Sequence, residues 1–317
     1  MGSPVWSAIG TKIRETINAC FDTGGVVYPM RVWYSLFLTP MPKPKFHIRS
    51  DMEGVTGVVS MAQVTPGAPE YAAAREWLMA EVGALVEGLL EGGAAEVSIY
   101  DEHWFGRNVD VGRLPKGVRV FSGKPPYRAD WAGGLDRTHA GLILQGLHSR
   151  EGSGRILAHT YEPDFLAISL NGIAVGEIGM ESAIAGDCGV PLVLVIADAA
   201  GLEEARELVP AVAGVATKIS RDSIGAECLS LSDTVAAIRQ TAARIAAAPP
   251  ALRPFQIQGP VEMLCSFKPG RYLEALRRRE RGRFVLEDTL RFTGPTVTSV
   301  WSDYWRMKLE TQASIAP

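Results

Sequence analysis

Cysteine is scarce in this chain. The four residues Cys20, Cys188, Cys228 and Cys265 lie far apart and form no CxxC pair. That spacing excludes the dense disulfide framework of small secreted domains, so reduced thiols in a cytoplasmic protein are expected. No apolar run reaches the roughly 18–20 residues that span a bilayer. The nearest, VVYPMRVWYSLFL at 26–38, is interrupted by Pro29 and Arg31. No small-residue cleavage pattern follows it, so it does not read as a signal peptide either. A basic surplus is also missing. With 32 basic against 35 acidic side chains, the net charge of −3 points away from a nucleic-acid partner. The basic run RRRERGR at 277–283 has no interleaved aromatics and reads as a solvated helix end. There are no internal repeats and no low-complexity tract. Histidine is rare, with only His47, His103, His139, His148 and His159.

At 47% hydrophobic residues, the 317-residue chain can bury a sizeable core. Residues 1–44 resemble nothing else in the chain. They are expected to form a poorly ordered extension, with Met30 or Met41 as alternative starting points. From Lys45 onward a regular pattern sets in. Residues 46–51 alternate apolar and polar side chains like a strand, and 70–91 carry an apolar stripe at helical spacing, closed by Gly92 and Gly93. Strands are expected at 96–101, 118–121, 141–145, 166–170 and 192–196, with 215–219 extended. Helices are expected at 176–188 and 203–209. This alternation predicts a mostly parallel sheet with helices on both faces over 45–230. A smaller α+β unit is expected over 231–317, with helices at 233–248, 271–279 and 297–309, a strand at 284–286 and an extended stretch at 255–258. Trp301, Trp305 and Leu309 fall on one face of the last helix and read as a packing stripe.

Polar residues gather where these strands end. Asp51 and Glu53, in SDMEG, are two apart at a strand end and so share a face. Alone, such a pair is a solvated loop start. The triplet Asp101-Glu102-His103 follows the next strand directly, and His148 comes three residues after the strand at 141–145. The C-terminal edge of an open α/β sheet is where ligands bind. A lone histidine is more often structural, and His47 and His139 are read that way. Glu177 opens a helix, where a carboxylate also suits the helix dipole. Three carboxylates and two imidazoles form a mixed oxygen/nitrogen donor set that zinc, manganese or iron accepts, zinc being the commonest in hydrolytic sites. Five donors exceed the need of one tetrahedral ion. They suit two ions ~3.5–4 Å apart, with Asp51 as the bridge.

The order of short motifs is specific. SDMEG, DEH before Arg107-Asn108, SG at Ser122-Gly123, GLD at 134–136 and GLHSREG come first, then HTY, LNG, VGEIG and GVP. The chain thereby resembles the zinc-dependent D-aminopeptidase family of the DppA type, clearly over about 45–230. The resemblance implies metal ligands at Asp51, Glu53, His103, His148 and Glu177, two zinc ions per subunit, and a catalytic histidine at His159. It also implies release of N-terminal D-residues from short peptides, and a large ring-shaped homo-oligomer. Three stretches depart from the family pattern and are expected to reshape the substrate pocket: Tyr100 before the D-x-H aspartate, Trp104 and Phe105 after the histidine, and Ala197-Asp198-Ala199 in place of GDD. The alternatives are another binuclear amidohydrolase or phosphoesterase, with Arg107 and Arg150 as the basic candidates, or a non-catalytic ring-forming member.

Overall fold

The computed structural model describes residues 43–315. The expectations for 1–42, extension and starting point alike, lie outside the described residues. Six parallel strands form the first sheet: β1 (Lys45–Ser50), β2 (Glu96–Asp101), β3 (Val118–Phe121), β4 (Gly141–Leu147), β7 (Leu192–Ala197) and β8 (Ala213–Ala216). Their order is β3-β2-β1-β4-β7-β8. The chain therefore runs outward from β1 in one direction and from β4 in the other. The crevice between β1 and β4 is the switch point at which open α/β sheets bind ligands.

Strands β4 and β7 are buried along their whole length, as expected with both faces covered. On one face, Phe46, Ile48, Val97, Ile99 and Ile143 pack against α2 (Tyr71–Glu91) and α5 (Leu231–Ala247). The α2 stripe Ala74, Leu78, Val82, Leu85 and Leu89 is buried there as its spacing predicts. On the other face, Leu142, Leu144 and Val195 meet α3 (Glu177–Asp187) and a second sheet.

That second sheet is five-stranded and antiparallel. It joins β5 (Phe165–Leu170) and β6 (Ile173–Val175) to β11 (Val261–Phe267), β12 (Phe284–Leu286) and β13 (Thr289–Gly294). Two readings are corrected by it. The strand near 166–170 belongs to this sheet, because β5 pairs antiparallel with β11. The division at residue 230 is cut across twice, by that pairing and by α5 packing on α2. Residues 255–258 form no strand. Residues 215–219 are split between β8 and β9 (Lys218–Ser220), which pairs with β10 (Ala226–Cys228). Helices α4 (Ala199–Leu208), α6 (Arg271–Arg279) and α7 (Val297–Ile315) complete the fold, with a single turn, α1, at Met61–Val64. On α7, Trp301 stacks on Tyr304 at 4.9 Å inside the core, whereas Leu309 is exposed. The arginines of the basic run pair with acids nearby, Arg277 with Glu274 and Arg283 with Asp303. Among the described residues, no helix is long and apolar enough to cross a membrane.

Candidate metal centre

Three strand ends deliver the polar residues to one place. Asp51 follows β1, His103 follows β2 by two residues, and His148 follows β4 directly. The Asp51 loop approaches the end of β4 so closely that side chains are excluded. A Cβ at Gly146, whose φ is +72°, would stand 2.1 Å from the Asp51 carbonyl oxygen, and one at Gly54 would stand 1.7 Å from that of Leu147. The Gly54 N–H instead donates to the Gly146 carbonyl at 2.7 Å.

The loop is held at each polar group. Thr56 N–H donates to Glu81 Oε1 at 2.9 Å, and Thr217 Oγ1 donates to the Gly54 carbonyl at 2.5 Å. Lys218, buried on β9, donates through Nζ to the carbonyls of Glu53, Val55 and Val58. Those acceptors use all three ammonium protons. The His103 loop is clamped by Asp101, which accepts from Asn108 N–H, Asn108 Nδ2 and Val109 N–H at 2.6–2.8 Å.

All five ligand candidates and His159 converge. His103 Nδ1 is 2.9 Å from Asp51 Oδ1 and 3.1 Å from Glu53 Oε2. His148 Nε2 is 3.6 Å from Asp51 Oδ2 and 3.5 Å from Glu177 Oε1. His159 Nε2 lies 3.8 Å from the same Glu177 oxygen, and its ring stacks on His148 at 4.3 Å. Each imidazole has its other nitrogen tied to a backbone carbonyl. His103 Nε2–H donates to Val64 O, His148 Nδ1–H to Ser149 O and His159 Nδ1–H to Leu157 O, at 2.6–3.0 Å. Such a tie fixes the ring and leaves the inward nitrogen for a proton or a metal. His148 Nε2 and Glu53 Oε2 are buried without a hydrogen-bond partner.

Burial alone would raise the Asp51 carboxyl, but the hydrogen bond from His103 and the facing His148 imidazole outweigh it and hold the group well below its ordinary range. Burial likewise works against the charged forms of His103 and His148. The facing carboxylates, Glu53 and Asp51 for one and Asp51 and Glu177 for the other, nevertheless hold both imidazoles well above the usual histidine value. Glu177 is lowered, burial being outweighed by His148. Without an ion the site keeps its carboxylates charged by placing protons on buried imidazoles. A cation meeting these oxygens and nitrogens would displace those protons. The donor atoms of Asp51, Glu53 and His148 lie within 4.8 Å of one another, and so do those of His148, His159 and Glu177. The donor set fits a borderline-soft divalent ion.

The centre opens into a cavity of about 910 Å³. Trp104 and Phe105, the bulky residues after His103, line it and are largely exposed. Trp305 also lines it, a role not visible in its helical spacing. Behind the centre lies a buried network that the sequence reading missed. Arg49 Nε sits 3.3 Å from Glu181 Oε2 and 3.5 Å from Glu102 Oε1, while Tyr127 OH reaches both carboxylates at 3.0 Å. Tyr100 stacks on Tyr127 and lies against the Arg49 guanidinium. Two signals pointed there: Arg49 shares the strand face of Asp51, and Glu181 is one helical turn past Glu177.

A family model described as D-aminopeptidase matches residues 45–304. The D-aminopeptidase of Bacillus subtilis (strain 168) is 30% identical over 190 residues, 59% of this chain and 68% of that protein. The solved structure of the Zn-dependent D-aminopeptidase DppA from Bacillus subtilis, a self-compartmentalizing protease, superposes with a TM-score of 0.78 at 22% identity. The match covers 86% of this chain and all of that one. The sheet order, the convergent strand-end residues and a family match over most of the length agree, and this chain belongs to the D-aminopeptidase family.

Proposed function

We propose that this chain is a metal-dependent aminopeptidase that removes N-terminal D-residues from short peptides. In this reading Asp51, Glu53, His103, His148 and Glu177 hold two zinc ions. The observation that carries it is the convergence of these five side chains at the sheet's switch point, with His148 Nε2 and Glu53 Oε2 left buried and unpartnered. Asp51 turns one oxygen toward His103 and the other toward His148, so it would be shared between the two halves of the donor set. Bound zinc supplies Lewis acidity and brings the pKa of water toward ~7.

The protein's own chemical step is proton transfer. With Nδ1–H tied to Leu157 O, His159 presents Nε2 to the cavity side of Glu177. That nitrogen takes a proton from the attacking water and returns it to the leaving amine. Phosphate chemistry finds less support. Arg150 is paired with Glu204 at 3.6 Å, which leaves Arg107 of the two basic candidates. By likeness to a relative described as self-compartmentalizing, the chain forms a ring-shaped homo-oligomer, and we place it in the cytoplasm.

Metal analysis of the purified protein, paired with a panel of D- and L-aminoacyl peptides, tests the proposal. Two zinc ions per chain and hydrolysis of D-aminoacyl peptides are expected. The variant His159→Ala should lose turnover and keep its zinc. Turnover at the wild-type level would remove His159 from the mechanism, and loss of zinc would make it a ligand.

A further inference from the structure

Two carboxylates share one guanidinium behind the metal centre, and their oxygens are served unequally. Glu181 has a group facing each oxygen: Oε1 accepts from Tyr161 OH at 2.8 Å, and Oε2 shares the single Tyr127 hydroxyl proton with Glu102 Oε1 and lies 3.3 Å from Arg49 Nε. Glu102 is partnered on one oxygen only. Its Oε1 meets the same tyrosine and arginine, while Oε2 is buried with no hydrogen-bond partner. Glu102 as a whole is 5% exposed, yet it lines the cavity beside His103 and Glu177. Arg49 gives its other reach, Nη2, to the Ala132 carbonyl at 2.7 Å. Arg49 Nε and Nη1 are likewise buried without a hydrogen-bond partner, so the cluster holds donors that its geometry does not deliver to Glu102 Oε2, and Glu102 is the carboxylate of the two that lines the cavity. A buried carboxylate oxygen without a donor is costly unless something from outside completes it.

The chain does not complete it. Lys124, a cation on the same cavity wall, lies over the Trp305 ring at 5.6 Å and makes no ion pair within 4.0 Å among the described residues. Neither cluster of candidate metal donors includes Glu102. We infer that Glu102 is the anchor for the substrate's free N-terminal ammonium, aimed into the cavity by Arg49, Tyr127 and Glu181. This inference rests on the aminopeptidase reading and names the group that makes the cleavage exo-acting. An ammonium at Oε2 supplies a donor and a positive charge together. An acylated amine supplies neither and leaves the oxygen buried and unpaired.

The experiment compares D-alanyl-D-alanine with its N-acetyl derivative, and measures binding of D-alanine alone by calorimetry. For Glu102→Gln, kcat/KM on the free dipeptide should fall about 100-fold, chiefly through KM, with D-alanine binding weakened in parallel. Zinc content should stay at the wild-type level, and cleavage of the acetylated peptide should stay as poor as before. Glu102→Asp should recover part of the loss. Tyr127→Phe, which removes one restraint on Oε1, should raise KM several-fold, and it decides the matter if Glu102→Gln does not fold. Unchanged D-alanine affinity and KM in a zinc-loaded Glu102→Gln enzyme overturn the inference while the peptidase reading stands. Wild-type inactivity on every free-amine peptide overturns both.

Discussion

Two pairs of histidines lie against the same parallel sheet and share almost every local property except one. His47 and His139 are buried, their rings meet edge-on at 5.5 Å, and both contact Ser98 Oγ. His148 and His159 are also in ring contact, with one nitrogen each on a backbone carbonyl. In the first pair the hydrogen bonds run in series and leave His47 Nε2 buried without a partner, but among the described residues no carboxylate lies within 4.0 Å of that ring. His139 Nδ1–H donates to Asp136 O, Ser98 gives its proton to His139 Nε2, and His47 Nδ1 donates to Ser98. In the second pair the inward nitrogens face Asp51 and Glu177. Burial and hydrogen bonding alone thus do not mark a functional histidine. Carboxylates converging on a nitrogen held free do.

The largest way to break the comparison is to truncate one member of each pair. His148→Ala should release metal and cost several kcal/mol of transition-state stabilisation, about 1,000-fold in peptide hydrolysis. His139→Ala should keep the metal stoichiometry and activity within a few-fold. Equal losses in both, read by metal analysis and turnover, would erase the distinction.

A second test reaches the centre from behind. Lys218→Met strips the only ammonium from three buried carbonyls in the Glu53 loop. Denaturant unfolding should report a loss of about 3 kcal/mol. Retained stability would mean that the loop is held without that cation.

The smallest effect concerns pH, and the two pairs should differ in sign. Burial, aided by Arg49, keeps the His47 pKa well below the usual histidine value. Below about pH 6.5 the unfolded chain binds a proton there that the folded chain refuses, so this group lowers stability by about 1.4 kcal/mol per pH unit as pH falls. In the metal-free protein His148 is raised instead. Its contribution is complete below about pH 6.5 and is lost as pH rises through its folded value. Denaturant titrations from pH 5 to 7 should therefore show a flatter acid-side loss in His47→Gln than in the unaltered chain. Parallel curves would refute a neutral buried His47.

Asp51, Glu53, His103, His148 and Glu177 were legible because each stands at an element boundary that hydrophobic patterning locates. The α2 stripe and the fully apolar β4 and β7 were legible for the same reason. The second sheet was not, since β5 finds its partner β11 more than ninety residues along, and no local pattern records such a pairing. Arg49 and Glu181 escaped notice because a charged residue on a strand or helix is usually at the surface. Their burial depends on neighbours brought by Tyr127 and Tyr161. Lys218 carries no local mark either, since its role comes from three carbonyl acceptors some 160 residues away in sequence.

Glu177 opens α3 directly after β6, so it arrives from the antiparallel sheet, while Asp51, His103 and His148 arrive from the parallel one. The centre is thus a rivet through two plates. Whatever draws these side chains together also fastens one layer to the other. Amide protons of both sheets should then slow their exchange in step as the site fills, although most of them lie far from it.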